Sequence, residues 1–587
     1  MPFNERSKDV FEHIGHYPQP PLINLQPITY DKELMTELAL KNTTLAKTIT
    51  KIMIHLSGFG DYYKKFPQIM EQVLRRSNFR FPGLYAPVIS ATIGIIDDPE
   101  KKNPIDRAVS LVFGARSLYF DLYAGRLSPD EYNGQPLEMG QYPNLFSTSL
   151  LLGGKRVALF KSTHIDRITV MYKGQIYQVE LTAGDEEQKL IQLKQNLEHL
   201  ISEQVPADQE VSPGILTAAS DQTQRMIFRR LIKNPANRQS MEALKHSFLT
   251  LCLDLDSTPH DLAEATRLAH SRNYDNRWFH SSLQLVVFGN AKAGTICNFT
   301  TYLDGNTMMR GTSEIQKRGQ KIKVPDMAGK KSADSMSPTK LHWQIPLAAL
   351  ERAKKDYERI LDHQEQATYV IEGIGRDLFK TRGIAAVPVF MLALQQATEK
   401  LCKRPAWIQQ FLTMTRYRCM DLNTCDINTS EVREFLDFIS NPEADKPMAR
   451  DLLTRAVNAQ TEAMKKKRNY LSPVPIILSY VRNCRGLKGI YIKFIAALAM
   501  TLLRLLRQFE LQPRDIVVSH PDIYNEAPIV GRPGIRLPYV RCFGLHYQIY
   551  TDKIVITMMP GLKWDVPNAQ LIQETENSLR QLLQILE

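Results

Sequence analysis

Residues 276–305 read NRWFHSSLQLVVFGNAKAGTICNFTTYLDG, and this stretch decides the fold class. Its segment 283–288, LQLVVF, is a nearly unbroken apolar run, as expected of a strand buried on both faces. Further strand candidates are VISATIGII (88–96), HIDRITVMY (164–172), IYQVEL (176–181), DIVVS (515–519) and KIVITMM (553–559), with another over 544–550. Helical periodicity fills 31–76, broken at Gly58-Phe59-Gly60, and returns over 185–203, over most of 346–467 and over 567–586. Strands alternating with helices predict an α/β protein with mixed sheets.

The chain has 587 residues, too many for a single core. The basic, polar run 316–340 is the best linker in it. The expected division is a discontinuous domain of residues 1–78 plus 341–587 and a second domain of 79–315. Pro20-Pro21-Leu22 reads as an extended surface arm.

A net charge of +12 suits a basic surface or an anionic partner such as a nucleotide-bearing cofactor. No arginine-glycine repeat or basic-aromatic stripe points to nucleic acid. The seven cysteines contain no Cys-x-x-Cys pair, so free thiols in a reducing compartment are expected, with no metal site. The N-terminal residues have no apolar signal core, and a cytoplasmic monomer is the expectation. The most apolar stretch, 490–506, is interrupted by Lys493 and Arg504 and reads as a buried helix rather than a membrane span.

A series of short segments resembles the carnitine/choline acyltransferase family, in order and over nearly the whole chain. They are Pro136-Leu137-x-Met139-x-Gln141-Tyr142, Thr163-His164-Ile165, Gly214-Ile215-Leu216-Thr217, Asn237-Arg238, Leu251-Cys252-Leu253-Asp254, Asn276-Arg277-Trp278-Phe279 and Gly375-Arg376-Asp377-Leu378-Phe379-Lys380, then Ala393-Leu394-Gln395 and Arg485-x-Leu487-x-Gly489. The resemblance implies two chloramphenicol-acetyltransferase-like domains, mixed sheets flanked by helices, and a tunnel between them. Acyl-CoA, or a phosphopantetheine thioester, would enter from one side and a small amino alcohol or amine from the other. Coenzyme A would be substrate rather than resident cofactor.

Acyl transfer from a thioester to a hydroxyl needs a general base, which the family supplies as His in a Glu-His-x-x-x-Glu/Asp-Gly segment. The matching stretch here is 297–305, CNFTTYLDG, and the catalytic position holds Thr300 or, in the other register, Phe299. Asp304 keeps the carboxylate position. Threonine cannot act as a base near neutrality. His280, His520 and His546 are the histidines that could stand in. The resemblance carries phosphate-binding roles to Arg376 and Lys380. It carries acceptor-binding roles to Thr424, Asp426 and Thr557. Asp426 stands where the family has a second threonine, and an aspartate there favours an amine over a carboxylate. Met559 stands where a serine would donate to the oxyanion. Two functions fit: an acyltransferase with a degenerate active site, or a catalytically inactive protein that binds CoA, acyl-CoA or a protein partner.

Overall fold

The structure, a computed structural model, describes residues 17–76, 90–151, 158–202, 212–326, 337–361, 367–418, 422–441, 443–509, 515–520, 543–559 and 566–587. The strands of its first half are β1 (Ser90–Ile95), the hairpins β2 (Glu131–Tyr132)/β3 (Gln135–Pro136) and β4 (Thr148–Leu151)/β5 (Ala158–Lys161), β6 (Arg167–Tyr172), β7 (Gln175–Glu180), β8 (Thr250–Asp254), β9 (Leu283–Phe288), β10 (Ala293–Asn298) and β11 (Thr339–Lys340). Seven of them form one mixed sheet in the order β1-β10-β9-β8-β6-β7-β11. Only the β6/β8 and β8/β9 pairings are parallel. Because β9 lies inside the sheet, between β10 and β8, its side chains supply two cores. Leu283, Leu285 and Val287 join one apolar cluster, while Val286 and Phe288 join another. That is the physical reason for the run LQLVVF.

On one side, helices Pro104–Tyr123 and Gly305–Lys321 cross backbone to backbone. A Cβ on Gly114 would sit 2.4 Å from the Ile315 carbonyl, so only glycine permits this approach. On the other side, helix Leu262–Ser271 lies over β1 and β10.

The second half holds β12 (Ala367–Glu372), β13 (Ile408–Thr413), β14 (Leu422–Asp426), β15 (Ile516–Ser519), β16 (Phe543–Ile549) and β17 (Lys553–Met559). They make a mixed sheet in the order β12-β17-β16-β15-β13-β14. Ile371, Ile408, Ile516, Val518, Leu545, Tyr547, Ile554, Ile556 and Met558 pack under helices Ala386–Cys402 and Asn568–Ile585. The fold is therefore α/β, with two mixed sheets flanked by helices.

Four readings of the sequence are revised. Residues 346–467 include three strands, β12 to β14, besides helices. Residues 316–321 complete helix Gly305–Lys321, and Thr339–Lys340 pairs with β7, so only the middle of 316–340 can be connector. Helix Leu347–Leu361 places Leu350, Ala353 and Tyr357 in a core with Trp278 and Leu216, on the first sheet's side of residue 341. Helix Gly486–Leu505, expected to be buried, is mostly exposed. The N-terminal helices pack with the late ones, Tyr480 against Phe59 and Leu503 beside Leu40 and Ala46.

Candidate active site

The motif residues before β9 are structural. Arg277 is fully buried, and its guanidinium donates to both carboxylate oxygens of Asp254 at 3.0 and 2.6 Å. Asn276 Nδ2 donates to the same carboxylate at 2.8 Å. Burial opposes the charge on Arg277, and Asp254 more than offsets it, so the net shift is upward. Two separate motifs thus turn out to be partners that pin the loop before β9 to the end of β8.

After β10 the chain enters a single 3-10 turn, Phe299–Thr301. Thr300 is buried, and both its N–H and its hydroxyl donate to Asn298 Oδ1, at 2.9 and 2.5 Å. Asn298 Nδ2 in turn donates to the Phe279 carbonyl at 2.7 Å. Phe299 is part of the first core. Neither Thr300 nor Phe299 offers a side chain that could take a proton near neutrality. Asp304 caps helix Gly305–Lys321 by accepting from Thr307 N at 2.8 Å, while Gln141 Oε1 accepts from Asp304 N at 2.6 Å. Its carboxylate thereby serves as the N-cap of this helix.

The second sheet faces this turn. Asn306, two residues into the motif's helix, donates from Nδ2 to Thr413 Oγ1 of β13 at 2.9 Å. Glu138 N, in the segment before the 3-10 turn Tyr142–Leu145, donates to Thr415 O at 2.6 Å. Side chains alternate across a sheet, and residues opposed in register share a face. Thr413 therefore shares its face with Phe411 and Gln409, and across β14 with Thr424 and Asp426. Following the register through β15, β16, β17 and β12 adds Ser519, His546, Thr557 and Thr368. The expected acceptor residues Thr424, Asp426 and Thr557 are thus on one face, the face tied to the helix that Asp304 caps.

Four members of that face form a row across adjacent strands: Ser519, His546, Thr557 and Thr368. His546 Nδ1 lies 2.9 Å from Ser519 Oγ, and its Nε2 has no hydrogen-bond partner among the described residues. Thr368 and Thr557 share a hydrogen bond at 3.2 Å between hydroxyls. Burial, with a smaller contribution from His520, lowers His546 to about 3, so it is neutral at physiological pH. The sequence flagged His546 without any partner. The row depends on strand register, which no local motif encodes. Asp426 is half-buried, and its carboxylate accepts from Asn428 N at 3.0 Å. The side chain of Met559 lies outside the described residues.

His280 is a core residue: its Nε2 lies 2.7 Å from Gln224 Oε1, between the rings of Phe228 and Trp278. Gln224 Nε2 is committed to the carbonyls of Thr217 and Ala219, so its Oε1 must accept and His280 carries its proton on Nε2. His520 packs on Tyr547. Cys252 and Cys297, on β8 and β10, are buried thiols pushed up to about 12 by burial, which makes them poor nucleophiles.

The residues expected to meet coenzyme A, Arg376 and Lys380, lie on a segment tied to the β16–β17 turn, where Arg376 N donates to Tyr550 O at 2.6 Å. Gly375 precedes the short helix Arg376–Thr381, and a Cβ there would collide with the backbone of Thr551 and Asp552. Arg376 is half-buried and donates to Ile549 O at 3.1 Å, and Lys380 is exposed. Neither is in an ion pair among the described residues, so both charges are open to an anion. Nearby Arg382 is paired with Glu587 at 2.6 Å. Lys466 and Lys467 are likewise paired, with Glu33 at 2.9 and 2.8 Å.

Residues 84–469 match the choline/carnitine O-acyltransferase family. Mitochondrial carnitine O-acetyltransferase of Saccharomyces cerevisiae is 25% identical over 51% of this chain and 47% of its own. Choline O-acetyltransferase of Homo sapiens is 22% identical over 60% and 50%. Carnitine O-palmitoyltransferase 2 of Xenopus tropicalis is 24% identical over 45% and 41%. The chain thus spans about half the length of the curated relatives it matches. Among solved structures, the first condensation domain of the CDA synthetase aligns at a TM-score of 0.36 with 11% identity, over 88% of this chain and 94% of that one. With the match covering most of its length, the chain belongs to the choline/carnitine O-acyltransferase family.

Proposed function

We propose that this protein transfers an acyl group from coenzyme A to a small amine or amino alcohol, with His546 in place of the missing histidine at Thr300. The observation that carries this reading is the polar row on the second sheet, where Ser519 orients a buried, neutral His546 whose Nε2 is bare. Family membership supplies the acyl-CoA chemistry, and Arg376 with Lys380 would hold the phosphates.

A weakly basic imidazole favours an amine. An alcohol must lose its proton as it attacks, whereas a neutral amine attacks the thioester carbonyl first. The resulting tetrahedral intermediate carries an acidic ammonium N–H and an oxyanion. His546 Nε2 accepts that proton, the C–S bond breaks as the carbonyl reforms, and the departing thiolate takes the proton from the imidazolium. In the Thr368–Thr557 pair only one hydroxyl proton is used between the two, which leaves one to donate to the oxyanion. Asp426, with Thr424 beside it, would attract a cationic end of the acceptor.

The test is thiol release from a panel of acyl-CoAs with carnitine, choline and simple amines, with CoA binding followed by calorimetry. The expected result is release that depends on an amine acceptor. His546→Ala should lower kcat by about 10²–10⁴-fold with CoA affinity unchanged. Full activity in that variant would remove His546 from the mechanism.

A second reading is a binding protein without catalysis. Thr300 locked onto Asn298 and Phe299 in the core favour it, because the family's catalytic position is filled by packing. Tight CoA binding with no release for any acceptor is its signature. Under both readings Arg376→Glu/Lys380→Glu should weaken CoA binding at least tenfold, and unchanged affinity would break the phosphate assignment.

A further inference from the structure

Helix Gly486–Leu505 is long and apolar enough to cross a membrane, yet only 22% of its apolar window is buried. Gly489, Ile492, Ala499 and Leu503 face inward, Ile492 onto a core with Ile54 and Phe59, and Ala499 and Leu503 onto one with Met35, Leu40, Ala46 and Ile49. At 100° per residue the opposite side is the stripe 487, 490, 494, 498, 501 and 505. Leu487 (87% exposed), Ile490, Phe494 (63%), Leu498 and Leu505 (76%) lie on it. Helix Thr44–Ser57, packed alongside, adds exposed Leu45, Ile52 and Leu56. A single-helix exposure of this kind far exceeds the scattered apolar residues of an ordinary surface.

Charge identifies what covers the stripe. Lys493 and Arg504 project from one margin and Lys488 from the other, and all three are exposed. Between Cys484 and Phe509 there are five Lys or Arg and no Asp or Glu, and residues 38–60 also contain no acidic residue. An apolar stripe edged by cations and free of carboxylates matches the acyl-headgroup boundary of an anionic bilayer. We infer that helices Gly486–Leu505 and Thr44–Ser57 form a membrane-docking face, on which the protein lies with the apolar stripe immersed and Lys488, Lys493 and Arg504 at the headgroups. Crossing the bilayer is disfavoured by the inward residues, which run from Gly489 to Leu503 and anchor the whole helix to the fold.

The test is co-sedimentation of the full chain with phosphatidylcholine vesicles, with and without phosphatidylserine, at low and high salt. Binding should require phosphatidylserine and weaken with salt. Phe494→Glu/Leu498→Glu should reduce partitioning more than tenfold, and Lys493→Gln/Arg504→Gln by about fivefold per charge on anionic vesicles only. All four positions are exposed, so CoA affinity and the thermal transition should be unchanged; if the Glu pair fails to fold, the Gln pair keeps the test intact. The inference falls if no vesicle binds, or if both variants bind like the parent. It also falls if bound protein is released by detergent but not by salt or alkali, which would mark a span. Self-association without vesicles that Phe494→Glu/Leu498→Glu abolishes would assign the face to a second copy and overturn it as well.

Discussion

His280 and His546 are imidazoles kept uncharged in folded surroundings, and this has a measurable consequence. Burial lowers both to about 3. In the unfolded chain a histidine titrates near 6.5. Between those values the unfolded state binds the extra proton, so stability falls as pH falls through that window and is fully retained above it. Each histidine should cost about 2 kcal/mol between pH 7 and pH 5. His280→Gln removes one such group while keeping a donor for Gln224 Oε1. Denaturant unfolding at the two pH values should show the variant losing about 2 kcal/mol less than the parent. Parallel losses would mean that His280 is not held neutral by the fold. At this scale the sequence was informative about identity and uninformative about role. Thr300, Asp304, Thr424 and Asp426 could be picked out by motif, but that Thr300 is bound to Asn298, and that Asp304 serves a helix, depends on local turns. His546 gained its meaning only through Ser519, 27 positions away in the chain.

LQLVVF was legible because an interior strand buries both faces. ATYVIE, IQQFLT and LNTCD were lost within a helical reading because β12 and β14 are edge strands and β12 to β14 carry polar or half-buried residues on one face. The break at Gly58 was legible because a left-handed residue (φ 69°) ends helix Thr44–Ser57 there. Helix Gly486–Leu505 is exposed where its composition predicts burial, because composition gives hydrophobicity but not which side has a partner. The motif helix Gly305–Lys321 offers the sharpest test of an element. Asp304→Ala removes its N-cap and should destabilise the protein by about 1–2 kcal/mol, whereas Asp304→Asn should cost a few tenths. If Asp304 were instead the partner of a catalytic group, Asp304→Asn would abolish thiol release while leaving the unfolding midpoint nearly unchanged.

Across the whole molecule, the chain's beginning is held to its later part by a buried charge cluster. Lys467 is buried, pairs with Glu33 at 2.8 Å and also contacts Glu37, and it lies over the Tyr470 ring. Burial lowers the Lys467 pKa, and Glu37 and Glu33 more than offset it, so the ammonium stays charged. Burial raises Glu37 despite the same lysine, so this carboxylate depends on Lys467 to remain ionised. Around the cluster, Thr43 Oγ1 donates to Gln508 Oε1 at 2.6 Å, and Leu40 bridges Phe509. Lys467→Met keeps the apolar stem and leaves Glu33 its partner Lys466, but strands the buried Glu37 carboxylate, and loss of one partner of a buried pair costs about 3–5 kcal/mol. That loss should appear in urea unfolding and as faster proteolysis within residues 32–57, the helices that the cluster and the docking face share. Adding Glu37→Gln should recover part of the loss, because it replaces a stranded charge with a neutral amide. If Lys467→Met unfolds like the parent, the cluster is not what joins the early helices to the late ones, and the apolar contacts of Leu40, Ala46 and Leu503, with the Thr43–Gln508 hydrogen bond, hold them together.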